Sequence, residues 1–193
     1  MPLDVSPDPV LPEVLHLRPV RHGDARGWFS ETFNEAAYRA AGVASQFVQD
    51  NHSRSADPGT LRGLHYQAPP HAQGKLLRCV RGRLLDVIVD IRAGSPRFGK
   101  HTAFELDGES GLQVFVPGGF AHGFCTLEPD TEVIYKVTSY YAPEHDFGIA
   151  FDDPALGIRW PFPAQALALS ARDRKHPRLA AAPSHFWFEG ERA

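Results

Sequence analysis

Four runs of β-branched and aromatic residues, separated by glycine turns, constrain the fold of this chain more than any other feature. The runs are KLLRCVRGRLLDVIVDI, TAFELDGESGLQVFVP, GFCTLE and EVIYKVTSYY, broken at Arg-Gly, Asp-Gly and Pro-Gly pairs. Short strands joined by such turns are typical of an all-β sandwich or barrel. The best helical signal is SETFNEAAYRAAGV, where Ser30 or Thr32 is predicted to cap a short helix that ends at Gly42.

Length and composition favour a single globular domain over residues 1–193, because 193 residues with 42% hydrophobic content can bury a sizeable core. The tail from about residue 163 is expected to form short helical turns and extended segments packed over the sheet. The two cysteines, Cys79 and Cys125, lie in apolar strand-like runs and are expected to be buried free thiols.

The net charge of −3 provides no general attraction to nucleic acid or to an anionic membrane, so neither is expected as a partner. The N-terminus, MPLDVSPDPVLPEVL, is acidic and interrupted by prolines, unlike a secretory signal. The sequence therefore predicts a cytoplasmic protein. Any anion must be bound by a local cluster of basic groups.

The segment GLQVFVPGGFAH narrows the β class. Gly111, Pro117, Gly119 and His122 have the spacing of the second cupin motif, which predicts a jelly-roll barrel with the histidine directed inward. A metal-binding cupin also needs converging His and Glu ligands from its first motif. Here Gln67 and Lys75 occupy that region, so we expect no metal and no other cofactor; a metal-dependent cupin remains the alternative.

The run GTLRGLHYQAPPHAQGKL concentrates nitrogen donors and contains no carboxylate. His65 can act as a general base near neutral pH. Lys75 can stabilise an enolate oxygen, and the phenol of Tyr135 can return a proton from the other face. Taken singly, each has a structural interpretation: His65 as a hydrogen-bonded core or surface residue, Tyr135 as a core aromatic residue, and Arg62 and Lys75 as surface charges. Together they indicate proton exchange at a carbon next to a carbonyl.

Nine segments, in order along nearly the whole chain, resemble the dTDP-4-dehydrorhamnose 3,5-epimerase family. They are FVQDNHS, LRGLHYQ, HAQGKL, DVIVDIR, SPRFGK, PGGFAHGF, YKVTSYYAPE, DPALGIRWP and SARDRKHPRL. The resemblance implies a dimeric, metal-free cupin jelly roll. It also implies inversion of C3 and C5 of dTDP-4-dehydro-6-deoxy-D-glucose, on the route to dTDP-L-rhamnose.

The resemblance also implies roles for individual residues. His65 matches the family's base, Asp173 its orienting carboxylate and Lys75 the group facing the C4 oxygen. Tyr135 matches the acid on the opposite face, and His122 matches a substrate contact. Without the resemblance, Asp173 would be interpreted as a surface charge.

Further matches concern the nucleotide. Family contacts to pyrophosphate, sugar and thymine correspond to Arg26, Glu31, Gln49, Asp50, Asn51, Arg62 and Tyr141. Guanidinium groups suit phosphate, and an aromatic ring suits a base. The family's N-terminal segment crosses to the partner, so we expect a homodimer in which Arg26 and Glu31 serve the neighbouring site.

Three positions depart from the family pattern. His22 stands where Phe is usual, Asp146 where Glu is usual, and Arg172 where Lys is usual. Asp146 and Arg172 are still expected to contact substrate. Two other functions remain open. The protein could epimerise a single carbon of a related dTDP-4-keto-6-deoxy sugar, or it could be a cupin that binds a sugar without turnover.

Overall fold

The computed structural model describes residues 3–43 and 46–190, and thirteen β-strands dominate it. The strands are β1 Leu3–Pro7, β2 Leu15–Pro19, β3 His22–Asp24, β4 Gly27–Phe29, β5 Gln49–Ser55, β6 Leu61–Gln67, β7 Lys75–Arg81, β8 Arg83–Asp90, β9 His101–Asp107, β10 Gln113–Val116, β11 Phe120–Thr126, β12 Thr131–Val137 and β13 Asp146–Gly148.

Two sheets pack face to face. One has the order β1-β2-β10-β7-β12-β5 and the other the order β13-β6-β11-β8-β9, while β3 and β4 form a separate hairpin. All the pairings between these thirteen strands are antiparallel. This is the jelly roll of the cupins, so the fold-class prediction is confirmed.

The core lies between the two sheets. Leu77 and Val133 from the six-stranded sheet pack with Leu84, Ile88 and Phe124 from the other, and all five are at most 6% exposed. Burying each such side chain contributes about 1.5–3 kcal/mol. Cys79 and Cys125 are buried free thiols, as predicted.

The cupin-motif turn joins the two sheets. β10 belongs to the six-stranded sheet, the chain turns at Gly119 with φ +93°, and β11 returns in the five-stranded sheet. Positive φ favours glycine at this position. The turn directs His122 of β11 between the sheets, as the motif predicts.

The helix α1 spans Glu35–Ala40 and ends before Gly42, which has φ +93°. Its N-cap is Asn34, whose side chain accepts a hydrogen bond from the Ala37 N–H at 3.1 Å. The prediction of Ser30 or Thr32 as the cap was therefore wrong. Ser30 instead donates to the Val20 carbonyl at 2.9 Å, before the helix begins.

The C-terminal tail forms the predicted short turns and crosses the five-stranded sheet. Its 3₁₀ turns are Ala164–Ala166, Asp173–Lys175 and Leu179–Ala181. The bridge between Thr60 and Ala168 fixes the start of the tail beside β6, and the second turn contacts β6. The tail thereby brings Asp173 to His65 across 108 positions of sequence. Within 3–43 and 46–190 there is no helix long and apolar enough to cross a membrane.

Candidate active site

A cavity of about 360 Å³ lies between the sheets, next to the core. Nine of the residues singled out from the sequence line it: Arg62, His65, Lys75, His122, Tyr135, Tyr141, Asp146, Arg172 and Asp173. His65 and His122 come from the five-stranded sheet, whereas Lys75 and Tyr135 come from the six-stranded sheet. One wall of the cavity therefore carries imidazoles, and the other carries an ammonium and a phenol.

His65 and Asp173 form a hydrogen-bonded pair. The Nε2 of His65 is 2.6 Å from Oδ1 of Asp173, and the Asp173 N–H is in turn bound by Ser170 Oγ at 3.0 Å. Because a carboxylate only accepts, Nε2 carries the hydrogen and Nδ1 holds the lone pair. Asp173 therefore sets the tautomer and orientation of the imidazole.

The electrostatic surroundings keep His65 neutral. Burial lowers the pKa of His65; Asp173 opposes this shift, and Lys75 reinforces it. Burial alone would raise the pKa of Asp173, but its contacts with His176 and His65 outweigh burial and hold that pKa well below its usual range. A neutral imidazole beside an ionised carboxylate is the form that can accept a proton.

Lys75, at the start of β7, lies beside His65. Its ammonium donates to the backbone carbonyl of His65 at 3.3 Å. Burial lowers the pKa of Lys75 to about 8, although Asp146 and Asp86 favour the charged form. The group is therefore mostly an ammonium at neutral pH and is available to an oxyanion in the cavity.

Tyr135 combines the two readings that the sequence left open. Its ring packs against the core cluster, and it also lines the cavity. Burial raises the pKa of its phenol, so the group keeps its proton at neutral pH. A protonated phenol on the wall opposite His65 is suited to act as an acid.

His122 has a buried partner that sequence reasoning missed. Its Nε2 is 2.8 Å from Oδ1 of Asp86, a side chain with no exposed surface. His122 also lies directly opposite His65 in the register of β11 and β6. The available signal was the carboxylate of Asp86 inside the apolar run LLDVIV, since an unpartnered charge is costly to bury.

The cavity mouth carries the polar groups predicted for the nucleotide. Arg172 forms an ion pair with Asp146 and also donates to its backbone carbonyl at 2.8 Å. The ring of Tyr141 is 56% exposed at this mouth. Arg62 is held by Ser55 Oγ at 3.2 Å. Two of the three departures from the family pattern, Asp146 and Arg172, thus contact each other.

Three further predicted residues lie on β5, next to the cavity but not among its lining residues. Gln49 accepts a hydrogen bond from the Tyr141 N–H at 3.4 Å and donates to Asn51 at 2.8 Å. Asn51 lies directly opposite Tyr135 in the sheet. Asp50 projects from the opposite face and pairs with Lys136 at 2.8 Å.

The two residues predicted to act in a neighbouring subunit also lie away from this cavity. Arg26 is at the tip of the β3–β4 hairpin, where it pairs with Asp24. Glu31 follows the hairpin and accepts a hydrogen bond from Asn34 at 3.2 Å. His22, the third departure, is also on this hairpin.

Gln67, which replaces a cupin metal ligand, is committed to the backbone. Its amide donates to the carbonyls of His71 and Tyr140 and accepts from the Ala142 N–H at 2.8 Å. The side chain is 3% exposed. Gln67 therefore fixes the loop that carries Tyr141 to the cavity mouth.

One group among the described residues has donor atoms close enough to consider a metal: His65, Asp173 and His176, within 4.8 Å of one another. The 2.6 Å between His65 Nε2 and Asp173 Oδ1 is a hydrogen-bond distance. Two ligands of one tetrahedral zinc, each about 2.0–2.1 Å from the ion, stand roughly 3.3 Å apart. The geometry suits proton transfer better, and metal independence remains a prediction.

The jelly roll and its paired imidazole and carboxylate, ammonium and phenol define an isomerase of the cupin class. A family model described as dTDP-4-dehydrorhamnose 3,5-epimerase matches residues 9–181. The chain belongs to this family.

Curated and solved relatives agree with this assignment. The chain is 51% identical over 176 residues to the dTDP-4-dehydrorhamnose 3,5-epimerase of Sinorhizobium fredii, covering 91% of this chain and 90% of the relative. It is similar to the crystal structure of dTDP-6-deoxy-D-glucose-3,5-epimerase from Legionella pneumophila in complex with dTDP-4-keto-L-rhamnose. That match has a TM-score of 0.91 and 39% identity and covers 97% of this chain and 100% of the other.

A third relative differs in activity. The crystal structure of a 3'-monoepimerase from Streptomyces bikiniensis, in complex with dTDP-quinovose, matches with a TM-score of 0.83 and 36% identity. It covers 91% of this chain and 87% of the other. The shared fold therefore accommodates epimerases that differ in the carbons they invert.

Proposed function

We propose that this protein epimerises C3 and C5 of dTDP-4-dehydro-6-deoxy-D-glucose to give dTDP-4-dehydro-L-rhamnose. The observation that carries the proposal is the placement of His65 and Tyr135 on opposite sheets around one cavity. Inversion requires that a proton leave one face of a carbon and another arrive at the opposite face. A sugar held between the two walls meets both requirements.

The first half of each inversion is proton removal. Nδ1 of His65 takes the proton from the carbon next to the C4 carbonyl. The C–H electron pair forms a double bond between that carbon and C4, and the carbonyl π pair moves to the C4 oxygen to give an enolate. Lys75 stabilises the negative charge on the C4 oxygen. Asp173 stabilises the imidazolium that forms on His65, to which it is hydrogen bonded at 2.6 Å.

The second half is proton return. The enolate collapses to the ketone while the Tyr135 hydroxyl gives its proton to the opposite face of the carbon. His65 is then protonated and Tyr135 is a phenolate, so solvent takes one proton from the imidazolium and supplies one to the phenolate. The same cycle at the second carbon completes the double inversion.

The nucleotide end is assigned to the cavity mouth. The guanidinium of Arg62 would meet the pyrophosphate, while Tyr141 and the Asp146–Arg172 pair would meet the thymidine. Arg26 and Glu31 would reach this mouth from the partner subunit of a homodimer. Two observations support the crossing of this segment to the partner subunit. The β3–β4 hairpin pairs with neither main sheet, and its Trp28 and Phe29 side chains are 55% and 70% exposed.

Product analysis in deuterated water tests the proposal. The protein is incubated with dTDP-4-keto-6-deoxyglucose, and NMR follows deuterium and configuration at C3 and C5. We expect deuterium and inversion at both carbons. Inversion at one carbon would make the protein a monoepimerase, and the absence of exchange would make it a binding protein. The matched control is H65N, which should exchange neither carbon but still bind dTDP.

A further inference from the structure

A second imidazole, that of His176, lies close to the Asp173 carboxylate. His176 follows the 3₁₀ turn that begins at Asp173, and its side chain is 9% exposed. Its Nε2 lies 3.6 Å from Oδ1 of Asp173, the same oxygen that is bonded to His65. Among the residues that the structure describes, this buried nitrogen has no hydrogen-bond partner.

The surroundings fix the His176 ring in this position. It packs edge-on to His65 with the ring centroids 5.5 Å apart. A Cβ at Gly148, which is the register partner of His65 in β13, would lie 2.5 Å from His176 Nε2. Glycine at 148 therefore leaves the space that lets this ring approach Asp173.

We propose that His176 is a positioning residue for the His65–Asp173 pair, directing an N–H toward the carboxylate so that Asp173 is held in place and shared between two imidazoles. This inference rests on the proposed role of His65 as the base. A hydrogen on Nε2 is the favourable tautomer, because a lone pair there would face a carboxylate oxygen. A donor at 3.6 Å is longer than a hydrogen bond but still stabilises the charge.

Because Asp173 interacts with both imidazoles, it stabilises the protonated form of His65 less than it would alone. The more the carboxylate charge is stabilised by His176, the less it favours the imidazolium form of His65, so the base stays neutral at lower pH. Several other titratable groups face or border His65 and would still act on it in a His176 variant: Lys75 from β7, His122 from β11, Asp146 from β13, and Arg172 and Asp173 from the tail.

The test is the pH dependence of kcat/KM in H176F, which keeps an aromatic ring but has no N–H. The acid limb should move to higher pH by roughly half a unit or more, because His65 becomes easier to protonate. H176Q, whose amide can donate to Asp173, should restore part of the difference. D173N should move the limb the opposite way, since it removes the negative charge.

The matched control is H52Q, because His52 lies on the outer edge strand and pairs with Glu132 rather than with the cavity. It should leave the limb in place. If H176F does not fold, H176L provides the same readout. The proposal is overturned if the acid limb of kcat/KM in the folded apolar variant lies at the same pH as in the wild type or at a lower pH.

An NMR titration of the His65 ring in the unliganded protein separates this inference from the proposed function. An upward shift of the His65 midpoint in H176F supports the inference even if the substrate differs from the one proposed. An unchanged midpoint overturns it even if the enzyme inverts both carbons.

Discussion

Lys75 offers the sharpest test of the chemistry, because its charge should switch within an accessible pH range. Burial lowers the pKa of its ammonium to about 8. Above that pH the free enzyme should therefore lose the positive charge that stabilises the enolate, and kcat/KM should fall about tenfold for each further pH unit. On the acid side, protonation of His65 removes the base. The profile of kcat/KM should be bell-shaped, with Lys75 setting the alkaline limb.

The perturbation is K75M, which keeps an unbranched side chain only one heavy atom shorter and removes its charge. At neutral pH the loss should be on the order of a hundredfold to a thousandfold, as for other single oxyanion donors. The alkaline limb near pH 8 should disappear, because methionine does not titrate. The deficit should also shrink at high pH: one unit above its pKa, only about a tenth of the wild-type lysine remains charged.

The assay is the initial rate of deuterium wash-in at C3 and C5, measured on both sides of pH 8. K100M is the matched control, since Lys100 is an exposed lysine outside the cavity, and its profile should match the wild type. The reasoning is refuted if the ratio of wild-type to K75M rates is the same at every pH, or if K75M keeps the alkaline limb.

Three other predictions follow from the same geometry. Y135F should still wash deuterium into the carbons that His65 reaches but should form far less inverted product; normal inversion would mean that another acid serves the opposite face. Protein treated with EDTA should keep its rate, whereas a loss that one divalent metal restores would favour a metal-dependent cupin. The protein should behave as a dimer in sizing experiments, and mixing R26A with H65N should restore activity, because each mixed dimer rebuilds one complete site. If the mixture recovers no activity, Arg26 does not contribute to the neighbouring site.

The fold was predictable because its signals are local. Alternation of apolar residues and glycine turns identifies strands without reference to the rest of the chain. The prediction of the helix cap was wrong for the opposite reason. Ser30, Thr32 and Asn34 are all acceptable caps, and the choice among them depends on where the chain leaves β4 rather than on the local sequence. Ser30 is already occupied by the Val20 carbonyl, which the sequence does not reveal.

Residue type alone suggested candidate site residues only where the side chain itself carries the chemistry. His65, Lys75 and Tyr135, taken together, could be proposed as the base, the group that stabilises the enolate and the acid from the chemistry of their side chains. Asp173 required the family resemblance, because its proposed role depends on a partner 108 positions away. Nothing local distinguishes such a carboxylate from a solvated one.

Asp86 and His176 show where inference from sequence ends, and they do so in different ways. Asp86 left a trace, since a carboxylate within a buried strand must have a partner, although the sequence did not show that the partner is His122. His176 left none: it lies in a charged tail and is brought to Asp173 by a turn and by the missing side chain of Gly148. The role proposed for His176 is exerted through another side chain, so it depends on packing. The pH profile of H176F therefore tests a property of the fold that no motif encodes.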